Sequence, residues 1–143
     1  MIRKLAATIA MTAIMGSAAF AETINVQMLN VGSDGARMIF EPAFVRAAPG
    51  DTIRFVASDR GHNAEINADM LPEGAEAFKG GVNEEIEVPL DVEGVYGVIC
   101  KPHFAMGMVM TIAVGDVAAP DDFLEGRIPR KAKERFEAQL ANF

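Results

Sequence analysis

Apolar and polar residues alternate with period two along 23–30: Ile24, Val26 and Met28 fall on one face, Thr23, Asn25 and Gln27 on the other. That is the pattern of a half-buried strand. A turn cluster, Gly32-Ser33-Asp34-Gly35, precedes a short apolar run at Met38-Ile39-Phe40 that ends at Pro42. Phe44-Val45 lead to Pro49-Gly50-Asp51, a turn in which Pro presets φ and Gly supplies the left-handed position. Alternation resumes over 52–57, with Ile53 and Phe55 on one face, and over 84–90, with Ile86, Val88 and Leu90. Residues 95–100 and 108–114 are more continuously apolar and rich in Val and Ile, whereas 67–81 shows no clear period. Many short strands between Gly, Pro and Asp turns predict an antiparallel Greek-key β-sandwich of about eight strands, an all-β fold.

Both ends of the chain differ from this middle. From Pro129 the residues are strong helix formers, with Ala132, Phe136 and Leu140 spaced as one apolar stripe and Pro129 at a first-turn position. This predicts an amphipathic C-terminal helix that needs a surface to cover, with a shorter helical turn near Pro120–Leu124. At the other end, basic Arg3-Lys4 precede the apolar run 5–15 and then Ala19-Phe20-Ala21. The run is too short to span a bilayer, and the small residues suit signal-peptide cleavage. The expected organisation is therefore a signal peptide at 1–21, a sandwich domain at 22–118 and a helical extension at 119–143, with export from the cytoplasm and no membrane anchor in the mature chain.

Composition narrows the chemistry. The chain has 143 residues, half of them hydrophobic, with one Cys, two His and nine Met. One Cys excludes an internal disulfide, and three such soft ligands cannot build a zinc ribbon or a Cys₄ cluster. The formal charge of −7 becomes −9 without the signal peptide, which argues against nucleic acid as a partner. A lone Cys exported to an oxidising compartment needs burial or a metal to protect it.

That Cys stands in Cys100-Lys101-Pro102-His103-Phe104-Ala105-Met106-Gly107-Met108, between two predicted strands. A loop that turns back between neighbouring strands brings its thiolate, imidazole and thioether toward one point, and Pro102 stiffens it. The second histidine, His62, follows another strand end in Asp59-Arg60-Gly61-His62-Asn63. Two imidazoles and a thiolate with a weak axial Met form the ligand set of one-electron copper sites. The axial candidates are Met106 and Met108, since Met110 continues the apolar face of a strand. Two rival readings use the same residues. A cysteine nucleophile activated by histidine lacks any accompanying oxyanion motif. A copper-binding or delivery protein would favour exchange, with exposed thioether ligands.

Gly61-His62-Asn63, Gly74-Ala75-Glu76-Ala77-Phe78-Lys79, Gly94-Val95-Tyr96-Gly97-Val98, the Cys100-x-Pro-His103-x₄-Met108 loop and the helical C-terminus resemble the pseudoazurins, periplasmic type 1 copper proteins of the cupredoxin family. The resemblance implies one copper, cycling between Cu(II) and Cu(I), held by His62, Cys100, His103 and Met108. It also implies that Asn63 ties the two ligand loops together and donates a backbone hydrogen bond to the Cys100 sulfur. Met38 is implied to lie near the solvent-facing ligand ring. The implied protein is a monomeric electron carrier and not an enzyme. Its redox partners, a copper nitrite reductase or a cytochrome c, would dock transiently near His103, Phe104 and Ala105. Pseudoazurins ring that patch with lysines, and here the sequence departs: residues 22–118 hold six basic side chains against fifteen acids. Arg60, Lys79 and Lys101 are the candidates for a local basic rim.

Overall fold

The computed structural model describes residues 19–143, so all but the last three residues of the expected signal peptide lie outside the described region. Among the described residues, eight strands form two four-stranded sheets. They are β1 (Thr23–Val31), β2 (Arg37–Glu41), β3 (Phe44–Ala47), β4 (Asp51–Val56), β5 (Glu65–Ile66), β6 (Ile86–Leu90), β7 (Gly94–Ile99) and β8 (Val109–Val114), followed by one α-helix, α1 (Arg130–Leu140). The sheet orders are β2-β1-β4-β6 and β3-β8-β7-β5.

The alternating strands bury the faces expected of them. Val26, Met28, Ile53, Phe55, Val88 and Leu90 all enter the core between the sheets, where Phe40 and Phe55 meet edge to face at 5.8 Å. Strands β7 and β8 are apolar except for Thr111 in β8 and the Tyr96 hydroxyl in β7, because both of their faces are covered. Tyr96, Val98, Met110 and Ile112 point into the intersheet core. Val95, Ile99 and Val109 instead pack beneath α1 and the segment before it, against Phe123, Ala132 and Phe136. The predicted stripe is thus what docks the helix, with Ala132 and Phe136 fully buried. Gln139, from the same helix, bonds the Thr111 hydroxyl at 2.9 Å and the Val109 carbonyl at 3.0 Å.

Two details depart from the sequence expectation. The sheets are mixed, because β1 pairs parallel with β4 and β3 parallel with β8. A period of two states which face of a strand is buried and carries no information on its direction. The second is β5, only two residues long and too short to show any period, in a region that reads as irregular. It pairs with β7 and forms a bridge from Glu65 to Lys79. Pro129 lies one residue ahead of the first helical turn, as the N-cap.

Candidate metal centre

Strands β1 and β4 run parallel, and at the end they reach, Asn30, His62 and the Cys100 that closes β7 come together. His62 follows β4 in a turn where Gly61 adopts φ 94° and bonds the Asn83 side chain at 2.6 Å, while the Asn83 N–H returns to the His62 carbonyl at 2.8 Å. Cys100 ends β7, and the loop 101–106 coils as tight 3₁₀ turns that kink at His103. The loop is closed at its base by the Cys100 N–H on the Met108 carbonyl at 3.0 Å and by the Met108 N–H on the His103 carbonyl at 3.1 Å.

These loops bring three atoms together. The Nδ1 atoms of His62 and His103 are 3.1 Å apart, and the Cys100 Sγ lies 3.8 Å from the first and 3.6 Å from the second. His62 and Cys100 are completely buried, while His103 is partly exposed. The far side of the His62 ring determines its tautomer. Nε2 lies 2.8 Å from the Asn30 side-chain oxygen, which only accepts, so Nε2 carries the proton and Nδ1 presents a bare lone pair to the cluster. Asn30 is steadied in turn, its backbone N–H donating to Asp59 at 2.8 Å.

Three electron-pair donors facing one another at these distances need a proton or a cation between them. Protonation of His62 is opposed by its burial and by the neighbouring His103, with Asp59 pulling weakly the other way, so its pKa falls below the ordinary value. Burial acts on Cys100 in the opposite sense, pushing its thiol up so that sulfur keeps a proton which a metal displaces on binding, while the backbone N–H groups of Asn63 and His103 favour the thiolate. A cation meets the geometry directly. A circle through atoms 3.1, 3.6 and 3.8 Å apart has a radius of about 2.0 Å, close to metal–imidazole bonds of about 2.0–2.1 Å and metal–thiolate bonds of about 2.3 Å. Soft sulfur with imidazole suits copper among the first-row metals.

The two methionines separate cleanly. Met108 is fully buried in the same core cluster as Cys100, whereas Met106 is 44% exposed on the loop. Asn63 joins the two loops as expected. Its side-chain oxygen accepts the Lys101 N–H at 2.7 Å, and its amide donates to the Gly80 carbonyl and to Glu65, both at 3.0 Å. Met38 is partly buried against the cluster that holds Cys100 and Met108, with a φ of 51°. Two contributors escaped the sequence reading. Asn30 breaks no pattern at the end of β1, and Arg135 sits on α1 among other charged residues.

A two-sheet Greek-key sandwich with a His–Cys–His triangle at one end, two of its members buried and one at the surface, defines a cupredoxin-type copper protein. Comparison with known proteins gives the same result: the family described as copper binding proteins, plastocyanin/azurin family, matches residues 26–115. The chain is 48% identical to a pseudoazurin of Paracoccus pantotrophus over 138 residues, 96% of this chain and 94% of that one. Among solved structures, a pseudoazurin from Sinorhizobium meliltoi superposes with a TM-score of 0.79 at 45% identity, covering 85% of this chain and 95% of that one. One from Methylobacterium extorquens AM1 superposes with a TM-score of 0.77 at 40% identity, covering 84% and 98%. The chain belongs to the copper-binding plastocyanin/azurin family and, within it, to the pseudoazurins. Its cofactor is accordingly one copper, and it is an electron carrier rather than an enzyme.

Proposed function

We propose that His62 Nδ1, Cys100 Sγ, His103 Nδ1 and, more weakly, Met108 Sδ would hold the copper, and that the protein shuttles single electrons in the periplasm. The observation that carries this reading is the donor triangle itself, held at metal-binding separations by a hydrogen-bond frame that runs through Asn30, Asn63 and Asn83. Bound copper supplies a one-electron Cu(II)/Cu(I) couple. The frame around the donors would hold them in place in either state, so that little would reorganise when an electron arrives or leaves.

Electron entry and exit follow from the burial pattern. Only His103 among the donors reaches the surface, flanked by Pro102, Phe104, Ala105 and Met106, which form a small apolar patch. A patch of this size suits a brief encounter, since electron-transfer interfaces bury less than about 1,200 Å². Exposed Lys101, Arg60 and Lys79 lie in the loops around it and favour an acidic partner surface despite the net negative chain, a copper nitrite reductase or a cytochrome c being the expected kind. The run at 5–15 and Ala19-Phe20-Ala21 support export, leaving Glu22 as the first mature residue. The sandwich at 22–118 and the extension at 119–143 then act as one unit.

The test is to add Cu(II) to the purified protein and record its visible spectrum. An intense thiolate-to-copper band, with copper resisting a chelator for hours, is the expected result. A colourless complex overturns the ligand assignment, and a coloured one that surrenders copper in seconds favours copper delivery instead.

A further inference from the structure

We propose that Arg135 is a positioning residue for the copper centre: its guanidinium, reaching from α1, orients the peptide that carries Met108 and the start of β2 that carries Met38. The inference rests on the ligand assignment above. One guanidinium nitrogen, Nη1, donates to the Gly107 carbonyl at 2.9 Å and to the Met38 carbonyl at 2.6 Å, and Nη2 donates to the Arg37 carbonyl at 2.8 Å. A single side chain thus joins the helix, the strand on one sheet and the end of the ligand loop that enters the other. Among the described residues no carboxylate comes within ion-pairing distance of it, so its charge is spent on main-chain oxygens. The planar fork of arginine suits this, offering several donors at fixed angles where a lysine ammonium is a point charge on a flexible stem.

The consequence for Met108 follows from peptide planarity. The Gly107 carbonyl and the Met108 N–H belong to one rigid plane. Arg135 holds its oxygen and the His103 carbonyl, at 3.1 Å, holds its N–H, so the plane is gripped on both edges. Turning it would swing the Met108 Cα and redirect the thioether. The helix crosses this point closely: a Cβ on Gly107 would stand 3.1 Å from the Lys131 carbonyl oxygen and 3.2 Å from the Arg135 Cδ, and Gly107 itself has φ 89°. Only glycine lets helix and loop approach so near.

Met38 is held by the same group. An unbranched residue other than glycine at φ 51° is strained and persists only where its surroundings over-determine it. The Arg135 bonds to carbonyls 37 and 38 are part of that constraint, and the Met38 side chain packs on the cluster containing Cys100 and Met108. Arg135 therefore acts on the metal site from two directions without touching it.

The experiment compares Arg135→Met and Arg135→Lys with Phe136→Leu, which loosens the same helix and leaves the three carbonyls bonded. Three quantities are read: the thiolate-to-Cu(II) band, the rate of copper loss to a chelator, and amide hydrogen exchange at Met108 in metal-free protein. Arg135→Met should shift the band, release copper about tenfold faster and speed Met108 exchange by a similar factor, as expected when support behind a metal ligand is lost. Arg135→Lys should move all three in the same direction by less, and it carries the test if the Met variant fails to fold. Phe136→Leu should lower the melting temperature and leave the band in place. An unshifted band in the Arg135 variants, or the same shift in Phe136→Leu, overturns the proposal. If the wild type takes up copper without colour, the ligand assignment fails, and Met108 exchange in the metal-free variants still decides the role of Arg135.

Discussion

The two histidines of the site bring their Nδ1 atoms to 3.1 Å and live under opposite regimes. His62 is buried, its tautomer set by Asn30 and its loop braced by Asn63 and Asn83. His103 is partly exposed on a short coiled loop and is flanked by apolar side chains. An electron carrier needs both conditions at once. One flank must be rigid and dry so that the donor geometry does not change with oxidation state, and the other must open a short path to a partner. On the proposed ligand assignment, the difference between the flanks divides holding the metal from meeting a partner, and each half can be disturbed separately.

The largest effect is expected on the buried flank. Asn63→Ala removes the acceptor of the Lys101 N–H and two donors, and should cost about 2–3 kcal/mol in denaturant unfolding of the metal-free protein. Loss of less than about 0.5 kcal/mol would show that the two loops are held together by other means. Next comes the methionine pair. Met108→Leu should shift the reduction potential and weaken copper binding about tenfold, while Met106→Leu, on the exposed loop, should leave both near wild type. The reverse result would move the axial ligand to the exposed flank.

A smaller effect is expected at the opposite end of the sandwich, where Asp51 offers a buried polar node without a metal. Its carboxylate accepts the backbone N–H of Glu22 at 2.9 Å and of Ala48 at 2.8 Å, and these bonds hold its pKa below the ordinary value. A depressed folded-state pKa means stability present above the unfolded value near 3.9 and lost as pH falls through the folded one. Asp51→Asn should therefore cost about 1 kcal/mol at pH 7, with the gap to wild type closing below about pH 4. A gap that stays constant from pH 7 to pH 3 would contradict that origin. The smallest change in free energy should come from the exposed flank. Lys101→Glu should slow electron transfer to a copper nitrite reductase several-fold at low salt, with the difference fading as salt rises and no change in stability. An unaltered rate would place docking elsewhere.

Much of this was legible along the chain. Ile24-Val26-Met28, Ile53-Phe55 and Ile86-Val88-Leu90 announce their buried faces because one side of each strand meets the core and the other meets water. The nearly continuous apolar character of β7 and β8 reflects cover on both sides. Cys100 and His103 were visible because they share one loop, and His62 because no other histidine remained. What could not be read is whatever depends on pairing between distant segments. The parallel partners of β1 and β3 leave no mark on hydropathy, and β5 is shorter than any period. The bonds of Asn30 to His62 and of Arg135 to carbonyls 37, 38 and 107 join residues 28 to 98 positions apart, with no local signature.

Those same long-range pairings shape how the molecule comes together. β3 finds its place only against β8, so Phe44 waits for Thr111, and the ligand loop is gripped only after α1 has docked. Loops of this length must be closed before their contacts repay the entropy, which makes such topologies slow, in the range of about milliseconds to seconds. Every strand that delivers a donor also borrows a partner from far along the chain. The donor triangle is therefore expected to form late, near the end of folding, so that a partly folded chain presents scattered weak ligands and only the finished one presents a copper site.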